Sequence, residues 1–310
     1  MDHADVVRRR VVEHGASIKD KVIETLTHSY NLIVDQIKSI SQSYRDLDTF
    51  LLNISNIKGL DFLVIYILLV GILHKYRNLE IEELRQLAAA YEKNIYEVFS
   101  ASRARRALEE VGIERDVADS VISDLAKALN TIGRNKPIYK WVARQKRVSF
   151  FEEEIRRVVF RGEGGGRVGR GVKTILRLFI HESNIPLALK IAYTPEYKKY
   201  VIHGDMYTAL VTLRSGAFED LDTLTSQRVK LRVAKRIICE NREGGGRCRD
   251  VTLRLESIRG LVRYVGKVSG DPVLYERGAY DIGVNYCKEL KCDVCPIKDV
   301  CRRYIFIKLR

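Results

Sequence analysis

The chain has few residues that interrupt helices or fill irregular gaps, with five Pro and two Met among 310 residues. It also lacks an apolar run long enough to span a bilayer. The most apolar stretch, Phe62–Leu73, has about twelve residues, against the roughly 20 that a spanning helix needs. Met1–Asp5 carries two acidic side chains, unlike the basic start of a secretory signal. These absences predict a cytoplasmic protein without membrane contact, in which Phe62–Leu73 is a buried helix and the cysteines stay reduced.

Positive charge is what the sequence has in excess. Lysine and arginine number 54 against 40 acidic residues, which gives a net charge of +14. Such an excess points to a polyanionic partner, and nucleic acid is the commonest one. The alternative is charge that serves only solubility. The abundance of Ile, Val, Tyr, Arg, Lys and Glu leans towards a thermophilic protein.

Helical periodicity dominates the first half of the chain. Apolar residues from Val22 to Ile37 keep helical spacing, and Leu79–Phe99 is predicted as one or two amphipathic helices. Ala118–Ile132 is another predicted helix, with Val121 and Leu125 on its apolar stripe. Alternating strand patterns are few. The sequence therefore predicts an all-α protein.

Two glycine-rich runs, Gly162–Gly171 and Gly244–Arg247, interrupt the second half and are predicted as loops. Glycines let a backbone approach a phosphate closely, and exposed N–H groups can bind it. The first run is therefore a candidate DNA contact, and the alternative for both runs is a flexible surface loop. The residues assigned to this contact are Arg167, Gly169, Arg170 and Gly171.

Four cysteines near the end of the chain have the spacing C-x4-C-x2-C-x5-C. Thiolates are soft ligands, so four of them this close together predict a metal centre. We favour a [4Fe–4S] cluster, with zinc as the alternative; a reducing compartment disfavours disulfides. Basic side chains around the cysteines could contact a phosphate backbone. The predicted ligands are Cys287, Cys292, Cys295 and Cys301, and the predicted DNA contacts are Lys291, Lys298 and Arg302.

Two further cysteines, Cys239 and Cys248, flank the second glycine run. They are predicted to be ordinary buried or loop thiols. A disulfide that closes the intervening hairpin is the alternative.

Lys173 and Asp205 are the candidate catalytic residues. Lys173 lies at the edge of an apolar helical face, in the predicted first turn, where desolvation and the helix dipole would lower the pKa of its amine. Such an amine can attack an electrophilic sugar carbon. Asp205 precedes a helical stripe and is a predicted N-cap, whose carboxylate could stabilise a developing sugar cation. The alternatives are a solvated lysine and an aspartate that only caps its helix.

The stretch Tyr275–Cys301 resembles the C-terminus of the endonuclease III family, in which a helix leads into a four-cysteine iron–sulfur loop. A glycine run, then Lys173-Thr174 and then Asp205 is similar to the order found in helix-hairpin-helix DNA glycosylases. The wide separation of Lys173 and Asp205 is similar to that in the archaeal 8-oxoguanine glycosylase branch. The resemblance covers about residues 160–216 and 275–303.

This resemblance implies a helical barrel at residues 60–203 that carries the hairpin and Lys173. Residues 1–59 and 204–310 would form a discontinuous helical domain that carries the cluster. The implied function is a DNA N-glycosylase and AP lyase of base excision repair. Lys173 would displace a damaged base, expected to be an oxidised one, through a Schiff base, and elimination would cut the strand, with Asp205 assisting. The expected partner is double-stranded DNA with a damaged base or abasic site, bound by a nucleoid-associated monomer.

Two other functions fit the same residues. One is a non-catalytic DNA-binding protein of the same fold with a structural metal cluster, and the other is a zinc-bearing nucleic-acid module. Trp141, the sole tryptophan, is predicted as a core anchor or as a platform for a flipped base. His181 and His203 are predicted as packed or solvated side chains rather than acid–base groups.

Overall fold

A computed structural model of the chain describes residues 2–28, 58–77, 101–133, 138–145, 147–179, 200–241 and 248–310. These residues are mostly helical, which confirms the all-α prediction at that level, and the strands among them have three residues each. The described helices are α1 (His3–His28), α2 (Lys58–Tyr76), α3 (Ala101–Glu110), α4 (Arg115–Ile132), α5 (Tyr139–Ala143), α6 (Val148–Val158), α7 (Gly166–Arg177), α8 (Met206–Arg214), α9 (Leu224–Glu240), α10 (Leu255–Val268) and α11 (Pro272–Ile282). The strands are β1 (Val251–Leu253) and β2 (Ile307–Leu309).

The chain divides into two compact units. Met1–Lys19 and Tyr200–Arg310 form one, which we call the terminal unit, and Asp20–Lys199 form the other, the central unit. The sequence placed these boundaries at 59/60 and 203/204. The barrel arrangement of the central unit stays a prediction. Within the described ranges, no helix is both long and apolar enough to cross a membrane.

In the central unit, α2 and α7 pack against each other through glycines. A Cβ atom added to Gly71 of α2 would lie 2.1 Å from Cγ1 of Ile175, and one added to Gly171 of α7 would lie 2.5 Å from the carbonyl oxygen of Gly71. The backbones can approach this closely only because both positions lack a side chain. The α2 side chains at positions 64–73 are all buried, which confirms the predicted buried helix.

The other predicted helices have mixed outcomes. The helix predicted at Ala118–Ile132 is confirmed: it begins at Arg115 and buries Val121, Ile122 and Leu125. Four features lie outside the described residues. They are the helix predicted at 79–99, the end of the first stripe at 30–37, the Gly244–Arg247 run and His181.

The terminal unit is built around α8, whose residues 208–214 are all buried. This helix packs against α10, α11 and β2. Helices α1 and α11 meet at Gly15 and Gly278; a Cβ atom on Gly278 would lie 2.1 Å from the carbonyl oxygen of Val11. The two strands are parallel, with Val251 opposite Ile307 and Leu253 opposite Leu309. This pairing anchors the end of the chain just after the last cysteine.

Candidate active-site lysine and candidate metal centre

The first glycine run is mostly helix, so its prediction as a loop is wrong from Gly166 onwards. Helix α7 begins at Gly166 and continues to Arg177. Only the residues before it turn, and there Gly162 and Gly165 have φ angles of 76° and 107°. Glycine suits those positions because L side chains rarely adopt such angles. The short turn therefore delivers the chain into a helix rather than into a hairpin.

Two of the predicted DNA-contacting glycines are unsuited to that role. Gly169 and Gly171 are buried within α7, and the Gly169 N–H donates to the carbonyl oxygen of Gly165 at 3.0 Å. A backbone amide that closes a helical turn cannot also bind a phosphate. Arg170 is half-buried, whereas Arg167 is exposed at the start of the helix. Arg167 alone of these four keeps the accessibility that a DNA contact needs.

Lys173 lies deeper in α7 than the sequence suggested. It is the eighth of the helix's twelve residues rather than part of the first turn. The residue is 5% exposed, and its neighbours Val172, Thr174 and Ile175 are buried as well. The amine is therefore desolvated by tertiary packing, whereas the predicted contribution of the helix N-terminus falls off within the first turn.

Glu152 on α6 is the partner of this lysine that sequence reasoning missed. The Lys173 Nζ donates to Glu152 Oε2 at 2.6 Å, and the lysine side chain is 7% exposed against 24% for the glutamate. The other carboxylate oxygen, Oε1, accepts from Arg156 at 3.0 Å. The two residues are 21 positions apart, so no local pattern connects them. The carboxylate stabilises the charged form of the amine, which opposes the desolvation that the sequence emphasised.

The electrostatics of Glu152 favour its anion. Burial acts to raise the pKa of this carboxyl group, but the positive charge and hydrogen bond of Lys173, with a smaller contribution from Arg156, lower it overall. The Glu152 carboxylate is therefore charged in this conformation and lies 2.6 Å from the Lys173 amine. Removal of the remaining water from a partly buried ion pair disfavours both charges, and so favours transfer of a proton from the amine to the carboxylate.

An aromatic cluster joins Trp141 of α5, Phe151 of α6 and Phe179. The Trp141 ring meets the Phe151 ring edge to face, with 5.6 Å between centroids, and Phe151 lies 5.6 Å from the Phe179 ring. The Trp141 indole N–H donates to Glu154 at 3.2 Å. Trp141 is half-buried in this cluster, which supports its role as a core anchor. Its role as a base platform stays a prediction.

Buried His74 marks a positive region at the contact of α2 and α7. Complete burial, followed by the charges of Arg177 and Arg170, lowers the pKa of His74 to about 3. The imidazole is therefore neutral at physiological pH. Because the cations of α7 raise the cost of a further positive charge here, they also create a potential that favours anions.

Asp205 is the N-cap of α8, as the sequence predicted. Its Oδ1 accepts hydrogen bonds from the N–H groups of Tyr207 at 2.8 Å and Thr208 at 3.0 Å. The residue is buried. The segment before it is held by Glu276 of α11, which accepts from the Tyr200 hydroxyl and from the main-chain N–H of His203. The backbone of His203 is thus anchored, and its half-buried ring fits the prediction of a packed side chain.

The four candidate metal ligands are free thiols that influence one another. Burial, followed by the charges of the neighbouring Cys295 and Cys301, raises the pKa of Cys287 to about 12. The pKa values of Cys295 and Cys301 are raised in the same way, first by burial. Four thiols that interact electrostatically occupy one small volume, and a bound cation would reverse the cost of ionising them.

The groups around the thiols include a hydrogen-bond donor of the kind that stabilises a thiolate ligand. The Arg303 N–H donates to Cys301 Sγ at 3.4 Å, a bond that favours a thiolate. Within the described ranges, no three His, Cys, Asp or Glu side chains already stand close enough to hold a metal ion. The donor set therefore fits a metal, whereas assembly of the centre requires the thiols to turn towards a common point.

Arg214, which the sequence did not single out, joins α8 to the cysteine loop. It is 6% exposed and donates to the carbonyl oxygen of Cys287 at 2.6 Å. Its Nε and NH2 groups donate to the carbonyl oxygen of Ile307 at 3.1 and 2.9 Å. Burial lowers the pKa of this guanidinium, while Cys287, Cys292 and Cys301 act in the opposite direction. The buried cation therefore lies within electrostatic reach of the thiols.

The three basic residues assigned to DNA on this loop, Lys291, Lys298 and Arg302, are exposed. Arg302 pairs with Glu219 at 3.1 Å, and Lys291 pairs with Glu289 at 2.5 Å. Exposed pairs of this type contribute little to stability, so either cation can be redirected to a phosphate at small cost.

Cys239 and Cys248 form a disulfide, with 5.9 Å between their Cα atoms. The prediction of two ordinary thiols is wrong, and the alternative of a closed loop is confirmed. The bond links the C-terminal end of α9 to the segment that precedes β1. The distance between the two cysteines in space could not be read from a run of glycines and charges.

Comparison of the chain with protein-family models, with curated proteins and with solved structures finds no match.

Proposed function

We propose that this protein is a DNA N-glycosylase with AP lyase activity, in which Lys173 is the nucleophile and Asp205 stabilises the sugar cation. The observation that carries the proposal is the burial of a single lysine amine among apolar neighbours on α7, because a desolvated amine is the group that Schiff-base chemistry needs. The buried N-cap carboxylate of Asp205 supports it, since a carboxylate held in place by a helix N-terminus can stabilise a developing sugar cation. The helical-barrel fold is part of the same proposal.

Substrate recognition would rest on charge. A net charge of +14 and the exposed cations Arg167, Lys298 and Arg302 are suited to a phosphate backbone. The damaged nucleotide would leave the base stack to reach Lys173, as base-modifying enzymes require. An oxidised base in duplex DNA is the proposed substrate, and the protein is proposed to act as a monomer.

The thiol loop is proposed to hold a [4Fe–4S] cluster through Cys287, Cys292, Cys295 and Cys301. When bound, such a cluster supplies structural cross-linking of the loop, and its surrounding lysines and arginines face DNA. Protein purified without oxygen is expected to absorb visible light and to contain iron and sulfide. Stoichiometric zinc in a colourless protein would instead establish the alternative metal.

Borohydride trapping tests the catalytic proposal. Purified protein is incubated with duplexes that carry oxidised bases or an abasic site, and covalent adducts are separated under denaturing conditions. The wild type and a Lys127→Gln control, altered at an exposed lysine of α4, are expected to form an adduct, whereas Lys173→Gln is not. An adduct that persists in Lys173→Gln, or no adduct with any lesion, would refute the proposal.

A second function, DNA binding without catalysis, is favoured by one observation: the tight ion pair between Lys173 and Glu152. A pair of this kind can be structural. This function predicts salt-dependent binding to duplex DNA that persists in Lys173→Ala and Asp205→Asn, with no base release by the wild type.

A further inference from the structure

We propose that Glu152 is the proton-exchange partner of Lys173, taking a proton from the ammonium before attack and returning it to the departing base. This inference rests on the proposed function, because it assigns a role within the same reaction. It begins from a difficulty that the structure raises. A lysine held as an ammonium by a carboxylate has no lone pair with which to attack a sugar carbon.

The geometry fits direct transfer. The Lys173 Nζ and Glu152 Oε2 are 2.6 Å apart, which is within the range for a proton to move along a hydrogen bond. The two groups come from different helices, α7 and α6, and each is fixed by burial of its own backbone segment. The glutamate is the more exposed member of the pair, so it is placed to pass a proton to a departing base.

Other charged groups of the region do not compete for this role. On its own helix Glu152 meets Arg156, which binds the opposite carboxylate oxygen. From α2 and α4, Lys75 and Asp124 pair with each other at 3.0 Å. Further along α6, Glu153 is exposed, and Glu154 binds Arg157 and the Trp141 indole. Glu152, in contrast, is hydrogen-bonded to the Lys173 amine.

Asp205 is poorly suited to the same task. Its Oδ1 accepts hydrogen bonds from the N–H groups of Tyr207 and Thr208, so this oxygen is already engaged in capping α8. The proton transfers are therefore assigned to Glu152, and Asp205 keeps only the electrostatic role that the proposed function gives it.

Entry of a nucleotide would start the sequence. Filling the remaining solvent space around the pair disfavours two separated charges, so the proton moves from Nζ to Oε2 and leaves a neutral amine and a neutral acid. The amine lone pair then forms a bond to C1′ while the glycosidic C1′–N bond breaks. The electrons of the broken bond go to the base, which takes the proton from Glu152.

Ring opening completes the balance. The C1′–O4′ bond breaks, O4′ receives a proton from the attached nitrogen, and a C1′=N bond forms with Lys173. Total charge and atoms are conserved, and no oxidant, reductant or metal is needed. With an abasic substrate no base departs, and the C1′ oxygen leaves as water after receiving one proton from the attached nitrogen and one from solvent or Glu152. Solvent can supply that last proton, so Glu152 is needed mainly to deprotonate the amine.

That difference defines the experiment. Single-turnover base release and abasic-site trapping are measured between pH 6 and pH 10, with rates at saturating DNA, for wild type, Glu152→Gln, Glu152→Asp and Glu153→Gln. Glu153 is the matched control, because it is the adjacent, exposed glutamate of the same helix. General acid–base catalysis contributes about 10²–10⁴-fold, so Glu152→Gln is expected to slow base release by at least about 100-fold near neutral pH.

Three further results are expected. Glu152→Gln slows abasic trapping less than base release, its trapping rate rises with pH as solvent removes the amine proton, and its affinity for DNA is unchanged. Glu152→Asp keeps a carboxylate and a folded site, and so retains an intermediate rate even if Glu152→Gln proves unstable. Glu153→Gln behaves as the wild type does.

The outcomes separate the two proposals. A wild type that forms no adduct with abasic DNA refutes the proposed function. A wild type that forms one, together with Glu152 variants whose rates and pH profiles match Glu153→Gln, leaves the function intact and overturns the role of Glu152.

Discussion

Replacement of Arg214 by methionine tests how the cysteine loop is held. The side chain is buried and makes three hydrogen bonds to two carbonyl groups, those of Cys287 and Ile307. Methionine has a similar length but no donor. Both carbonyl groups would therefore lose the guanidinium, one at the first cysteine of the loop and the other in β2.

The magnitude follows from the number and type of bonds lost. Each buried carbonyl group left without a hydrogen-bond donor costs about 1–3 kcal/mol, so the loss at two carbonyl groups costs about 2–6 kcal/mol. Methionine recovers part of this through apolar contact, so we expect about 3 kcal/mol. With a urea m-value of about 2 kcal/mol/M, the unfolding midpoint should fall by about 1.5 M.

Urea unfolding followed by circular dichroism, together with iron and sulfide content, measures both consequences. Arg214→Met is expected to have a lower midpoint and to retain less metal than wild type, because the carbonyl of Cys287, the first proposed ligand, is no longer fixed. Arg228→Met, at an exposed position of α9, is the control. If Arg214→Met matches this control in both measurements, the loop is held by something other than Arg214.

Three other predictions concern single groups. Asp205→Asn keeps an N-cap and should unfold like wild type while losing base release, whereas Asp205→Ala should lose about 1–2 kcal/mol of stability as well, as thermal unfolding will show. Serine at Cys239 and Cys248 should cost about 2–3 kcal/mol in urea unfolding relative to the oxidised wild type, and should match the reduced wild type; no difference from the oxidised wild type would contradict the bond. The Cys287 pKa of about 12 lies above the ordinary value of about 9, so the folded metal-free protein binds protons that the unfolded chain releases. The stability of the metal-free protein should therefore fall as pH rises from about 9 towards 12. Iodoacetamide should alkylate the Cys287 thiol slowly at pH 8, and rapid alkylation of this thiol in the folded protein would contradict the raised pKa.

Local sequence was sufficient for features that depend on neighbours along the chain. The buried helix α2 was predictable because an apolar run shorter than a membrane span has nowhere else to go in a folded protein. Asp205 was predictable as a cap because its side chain reaches N–H groups two and three residues later. The four clustered cysteines were likewise visible, since their spacing alone forces them into a small volume.

Tertiary structure decided what depends on distance through space. Gly166–Gly171 has a composition typical of loops, yet it is helical because Gly171 lets α7 lie against Gly71 of α2, and that burial outweighs low helix propensity. The pairing of Cys239 with Cys248 depends on where α9 ends relative to β1. Arg214 donates a hydrogen bond to Cys287 in the cysteine loop, although the two residues are 73 positions apart in the chain.

The candidate nucleophile combines both kinds of information. The apolar pattern around Lys173 predicted that this lysine lies on an apolar helical face and that its amine is desolvated. Only the packing of α6 against α7 placed the carboxylate of Glu152 2.6 Å from that amine. Burial of a charge follows from local pattern, but the group that neutralises it comes from another helix, because opposite charges stabilise each other through space and not through the chain.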